Sequence, residues 1–301
     1  MTLKFDDIRQ TGSLELLAKQ LVEGFITGLH KSPYHGFSVE FAEHRLYNEG
    51  QSTRHIDWKV FARTDRLYTK QYEEETNLRC LIALDCSSSM YYPSDTLAKL
   101  RFSIYSASAL AYLLHKQRDA VGLCLFSDKI DEFTPIKSTA SHLDKLFTLL
   151  EKTIESGRQQ KTTKVSEVLH AVAEKTHKRS LIIIFSDMFD GSESQEEVFK
   201  SLQHLKHNKH EVLLFHVSDH ETELNFNFED RPFEFVDLES GVKLKLNPSE
   251  VKSRYTSSQE EFHRSLKFKC NQLKIDFISA NTGTDYFSVL QSYLIKRSKM
   301  K

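Results

Sequence analysis

The run Leu181-Ile182-Ile183-Ile184-Phe185, inside "SLIIIFSD" at residues 180–187, is the most hydrophobic in the chain and does not alternate with polar residues. A strand of this kind leaves no face for water, so it belongs in a sheet covered on both sides. The sequence around it supplies the covers. From Leu78 onward, strand-like runs take turns with helical patterns. "RCLIAL" and "AVGLCLFSD" (120–128) precede the run, and "EVLLFHVSD" (211–219) and "KIDFISA" (274–280) follow it. Between them, Leu97, Leu100, Ile104, Ala107, Ala111 and Leu114 recur at helical spacing, as do Leu143, Leu146, Phe147, Leu150 and Ile154, with Ser141 placed as a cap. Val165, Val168, Leu169 and Val172 mark a third helix, residues 194–206 a fourth, and Phe287, Leu290 and Leu294 a last one. Strands alternating with helices define an α/β, doubly wound, mostly parallel sheet of Rossmann-type topology. "KIDEFTPI" reads as a short edge strand, because Pro135 disfavours a central position.

Two stretches depart from this rhythm. At about 225–248, "RPFEFVDLESGVKLKLNPSE" alternates on either side of an "ESG" turn and reads as a β-hairpin insertion. Residues 1–77 form a helical leader (Leu14 to Leu29) followed by a β-rich subdomain, in which "GFSVEFAEHRLY" and "RHIDWKVFART" both read as strands by period-two alternation. The expected organisation is therefore 1–77 as a leader and β-rich subdomain, and 78–301 as the α/β domain with its insertion.

Composition excludes several classes. The 41 basic and 42 acidic side chains leave a formal charge of −1, so nucleic acid is not an expected partner. No apolar run approaches the ~18 residues of a membrane span, and "MTLKFDDIRQTG" lacks the apolar core of a signal peptide. Cys80, Cys86, Cys124 and Cys270 form no Cys-x-x-Cys pair and read as buried, reduced thiols. A cytoplasmic protein without a membrane span is expected. His30, His35, His44 and His55 match no zinc spacing.

The chemistry gathers where two strands end. The first strand of the domain stops at Asp85, followed by Cys86 and three serines, and the most buried strand stops at Asp187. In a doubly wound sheet of order 3-2-1-4-5 those two strands are neighbours at the point where the order reverses, which is where such folds bind ligands. Two facing carboxylates repel unless a proton or a cation sits between them. Ser87 and Ser89, at alternate positions, can point the same way, and "QKTTKVSEVL" adds Thr162 and Thr163 at a helix start. Two carboxylates with three hydroxyls suit a hard, octahedral cation such as Mg²⁺ or Mn²⁺.

Asp-x-Ser-x-Ser after a first strand, Thr at a middle helix and Ser-Asp after a fourth strand resemble the von Willebrand factor A domain. The resemblance implies a metal-ion-dependent adhesion site at Asp85, Ser87, Ser89, Thr163 and Asp187, in which a partner's carboxylate completes the coordination of the metal. Upstream, Arg45, Tyr47, Gly50, Arg54, Ile56, Asp57, Trp58, Ala62, Arg63 and Thr64 are similar to the signature of the bacterial domain-of-unknown-function 58 family, which pairs this segment with an A domain. Where that family often has Gly-Asp-Asp, this chain has Gly50-Gln51-Ser52. The family resemblance implies a MoxR-type AAA+ ATPase as partner, in chaperone-like assembly or maturation; any protein with an exposed carboxylate would fit the site.

The expected function is thus a non-enzymatic protein–protein interaction module, with Arg54, Asp57, Trp58 and Arg63 as a further partner surface. The alternative is a Mg²⁺-dependent phosphatase or phosphotransferase using Asp85 as nucleophile. Against that alternative, position 87 is Ser, so no second carboxylate stands two residues on, and no phosphate-binding Gly-x-x-x-x-Gly-Lys loop is present.

Overall fold

The computed structural model describes residues 13–30, 44–46, 58–70, 78–93, 96–157, 164–188, 195–238, 241–283 and 286–299. It divides into two compact units, one of residues 1–26 with 78–301 and the other of residues 27–77.

The larger unit is built on a six-stranded sheet. Its strands are β3 (Arg79–Asp85), β4 (Ala120–Phe126), β5 (Ile130–Phe133), β6 (Leu181–Ser186), β7 (Glu211–Ser218) and β10 (Asp276–Asn281), in the spatial order β10-β7-β6-β3-β4-β5. All neighbours run parallel except β5, which turns back antiparallel on the edge beside β4. The order reverses between β3 and β6, as expected for a doubly wound sheet. Every residue of β6 is buried, so the apolar run of residues 181–185 does occupy the centre.

Helices cover both faces. One face packs Leu81, Ala83, Cys124, Ile182, Ile184 and Leu214 against α5 (Val165–Lys175), α6 (Gln195–His207) and the C-terminal half of α7 (Pro248–Gln272). On the other lie α3 (Ala98–Lys116), which packs on β3, β4 and β7, and α8 (Phe287–Lys299). Phe185 and Phe215 stack on adjacent strands, ring centroids 4.8 Å apart. Helix α3 is unusual in burying Ser103, Ser106 and Ser108 as well as its apolar residues. Small side chains there let it lie close to the sheet and to α4 (Ala140–Glu155). All four cysteines are buried thiols outside any disulfide.

The insertion is a hairpin, β8 (Phe233–Val236) with β9 (Lys243–Leu246), antiparallel as its alternation predicts. Phe226, Phe228, Phe233, Phe235 and Tyr255 make a small aromatic cluster beneath it. At the N-terminus, α1 (Leu14–His30) buries Leu14, Leu17, Ala18, Leu21, Val22 and Phe25 on one face, and the Leu14 N–H donates to Glu151 Oε1 of α4 (2.9 Å).

Three local expectations change. "WKVFART" is a helix, α2 (Trp58–Thr64), in the smaller unit rather than a strand. Its Thr64 hydroxyl donates to the Val60 carbonyl one turn back (2.9 Å), and so short an alternation does not separate the two periods. The other described elements of that unit are β1 (His44–Leu46) and β2 (Tyr68–Lys70), an antiparallel pair. The N-cap of α4 is Thr139, two residues before Ser141. β10 begins at Asp276, after Lys274 takes a left-handed conformation at φ +55° that ends the preceding turn.

Candidate functional site at the sheet's switch point

β3 and β6 run side by side with Leu84 level with Phe185, which places Asp85 opposite Ser186 and sets Asp187 one residue beyond. The Ser186 hydroxyl donates to Asp85 Oδ2 at 2.6 Å, and the Ser87 N–H donates to Asp85 Oδ1 at 2.9 Å. Asp85 is therefore a turn-former as well as a strand end, with both oxygens accepting hydrogen bonds. The chain then enters a 3-10 turn (Ser88–Tyr91) with Ser87 in the cap position, yet the Ser87 hydroxyl does not cap the turn. It lies 3.0 Å from the Ser89 hydroxyl instead. Asp85 and Ser87 are fully buried and Ser89 is half-buried.

Burial, with the Asp187 charge nearby, pushes the Asp85 carboxyl up from its ordinary 3.8 to about 7, although its bonds from Ser186 and Ser87 pull the other way. An ionised Asp85 thus lacks a counter-charge of its own. Asp187 has one. The Lys99 ammonium, 1% exposed, donates to Asp187 Oδ2 at 2.9 Å and to Glu223 Oε1 at 2.6 Å. Burial draws Lys99 down, but the two carboxylates outweigh it and hold the amine protonated, above its ordinary range. Burial raises the Glu223 carboxyl despite Lys99.

Glu223 belongs to a single π-helical turn, His220–Leu224, that follows β7. Asp219 caps that turn by accepting from the Thr222 N–H and hydroxyl (both 3.0 Å), and its own N–H donates to Glu223 Oε2 (2.8 Å). Two non-glycine residues flank the site in the left-handed region, Leu97 at φ +53° before α3 and Met188 at φ +52° after Asp187. Such conformations persist only where surrounding contacts impose them. Met188 is held by its N–H bond to Ser186 Oγ (2.8 Å) and Leu97 by its N–H bond to the Pro93 carbonyl (2.7 Å). His216, buried at the end of β7, is pushed down to about 4 by burial, with His263 and Lys99 adding to the effect and Asp187 opposing it.

The structure thus brings together Asp85, Ser87 and Ser89, and places Asp187 beside them on Lys99. Thr163 and Thr162 lie outside the described residues, as do Arg54 and Asp57. Trp58 opens α2 and Arg63 is exposed near its end. The sequence reading did not single out Ser186, Lys99 or Glu223. A signal existed for Lys99: it stands in a helix whose other residues are small or apolar almost all round, "AKLRFSIYSASALAYLL".

Three oxygen donors, one carboxylate and two hydroxyls, fit part of a hard-cation shell. Octahedral Mg²⁺ with bonds of ~2.1 Å sets neighbouring ligand oxygens about 3.0 Å apart, and the Ser87 and Ser89 hydroxyls stand at 3.0 Å. Among the described residues no three His, Cys, Asp or Glu side chains are grouped to hold a metal ion by themselves. Hydroxyls, and water or a partner's carboxylate, would have to supply the remainder.

The sequence profile of the family described as "Protein of unknown function DUF58" matches residues 43–265. Curated relatives include the uncharacterized proteins Mb1516 of Mycobacterium bovis and Rv1480 of Mycobacterium tuberculosis, each 23% identical over 207 residues, 69% of this chain. The matched region spans 63% of the length of those relatives. Among solved structures, BatB from Bacteroides thetaiotaomicron is 17% identical and covers 74% of this chain and 98% of its own, with a TM-score of 0.48. An aerotolerance-related membrane protein from Bacteroides fragilis is 15% identical, covers 74% and 99%, and also scores 0.48. A von Willebrand factor type A protein from Catenulispora acidiphila is 12% identical, covers 50% and 34%, and scores 0.37.

Proposed function

The chain belongs to the DUF58 family, and from that premise we propose that it is a non-enzymatic protein–protein interaction module with a metal-ion-dependent adhesion site. Asp85, Ser87 and Ser89 hold a Mg²⁺ or Mn²⁺ ion, with Thr163 and Asp187 completing its surroundings. A bound ion supplies a positive charge with an open position for an acidic group. The observation that carries this reading is the convergence of the Asp85 carboxylate with two hydroxyls 3.0 Å apart at the point where the strand order reverses.

Each residue has a definable task. Asp85 supplies the negative charge, and its bonds from Ser186 and the Ser87 backbone fix the carboxylate plane. Ser87 and Ser89 supply neutral donors, which leave the ion electrophilic toward a partner's carboxylate. The half-buried position of Ser89 is where that partner approaches.

The partner in this reading is a MoxR-type AAA+ ATPase, as the family resemblance implies, and the setting is cytoplasmic. Among the described residues no helix is long and apolar enough to cross a membrane. The test is capture of the ATPase by immobilised protein in Mg²⁺ and in EDTA, beside Ser87→Ala/Ser89→Ala. Capture is expected in Mg²⁺ with the wild type only. Equal capture in EDTA, or by the double variant, overturns the reading.

A further inference from the structure

We propose that Lys99 is a tethered cation that keeps Asp187 out of the coordination shell of the ion, so that the site holds its metal through Asp85, Ser87 and Ser89 and depends on a carboxylate from outside to hold it firmly. The inference rests on the metal-site reading above and goes beyond it, because in that reading Asp187 sits beside the ion with no competitor.

The geometry gives Lys99 little freedom. Its ammonium is 1% exposed and the Asp187 side chain 9%, so water does not screen the pair. Moving Asp187 from Lys99 to a metal would leave a buried ammonium with Glu223 alone, which makes the exchange costly. The second contact of Lys99 is anchored too, since Glu223 spends its other oxygen on the Asp219 N–H at 2.8 Å. The Lys99 N–H bonds to the Tyr92 carbonyl (3.3 Å), and the ammonium lies 5.9 Å from the centre of the Tyr92 ring. Four elements thus meet on one side chain: α3, the end of β6, the π-helical turn and the loop after Tyr91.

Charge favours the same arrangement. Two carboxylates, Asp187 and Glu223, share one ammonium, and Asp85 lies within reach of the Asp187 charge. That leaves negative charge for one divalent cation, and only Asp85 is without a cation of its own. A neutral side chain at position 99 would release Asp187 to the ion and turn a weak site into a tight one.

Mn²⁺ binding measured by electron paramagnetic resonance tests this in a cycle of wild type, Lys99→Met, Asp187→Asn and the double variant, with circular dichroism confirming the fold of each. Lys99→Met is expected to bind Mn²⁺ more than about tenfold more tightly than wild type, as the loss of a buried like charge requires. Asp187→Asn is expected to weaken binding less than about threefold when Lys99 is present and more than about tenfold in the Lys99→Met background, the non-additivity of residues that share a partner. Should Lys99→Met fail to fold, Asp187→Asn alone still decides. A loss above tenfold with Lys99 present makes Asp187 a ligand of the ion and overturns the inference, while the metal-site reading stands. Absence of Mn²⁺ uptake by wild type and Lys99→Met alike overturns both.

Discussion

Asp85 is a buried carboxyl whose proton affinity is raised rather than lowered, and this decides how its charge bears on folding. Its folded value of about 7 lies above the ordinary 3.8, so the folded chain binds the proton more tightly than the unfolded chain. The stability this contributes is full below about pH 4 and is lost as pH rises through 7. His216 acts oppositely: held near 4, below its ordinary 6.5, it withdraws stability as pH falls below 6.5. Comparing wild type with Asp85→Asn separates the two, because His216 is common to both. In metal-free buffer, Asp85→Asn should gain on the order of 1–4 kcal/mol over wild type between pH 5 and pH 8, on ~1.4 kcal/mol per pKa unit. Urea unfolding at the two pH values checks this, and a constant difference would mean that Asp85 carries no unbalanced charge.

The elements differ in how openly the sequence declares them. β3, β4, β6 and β7 were legible because fully buried strands need uninterrupted apolar runs, and these are the runs at 80–84, 121–126, 181–185 and 212–215. Asp85, Ser87 and Ser89 were legible for a related reason, since a short loop places alternate residues close together whatever the rest of the chain does. Helix α2 was misread because alternating Ile56, Trp58 and Val60 suit a strand and a short helix equally. The Lys99 bridge could not be read from spacing. It joins residues 88 and 124 positions apart, and only the packing of α3 against β6 and the π-helical turn brings them together. The hairpin insertion has a core of its own, separate from the sheet. Phe226, 7% exposed, stacks on Phe235 at 5.7 Å and meets Tyr255 at 4.6 Å. Phe226→Ala should therefore loosen the insertion without melting the sheet. The expected outcome is faster proteolysis between residues 228 and 247, with a change in global unfolding free energy under about 1 kcal/mol, since satellite clusters open locally. A cooperative loss of several kcal/mol would show the hairpin to be part of the main core.

At the scale of the whole molecule, the sheet of the larger unit, covered on both faces, carries the proposed site at the end where its strand order reverses. The chain gathers there a carboxylate, two hydroxyls 3.0 Å apart and a buried lysine bridge. A near-neutral charge of −1 gives no long-range pull on a partner, so recognition in this account is local and metal-borne. The most direct test is calorimetric titration of Mg²⁺ and Mn²⁺ into metal-stripped protein, wild type beside Asp85→Ala. The wild type is expected to take up one ion per chain and the variant none. Equal uptake by both, or none by the wild type at millimolar metal, would contradict this.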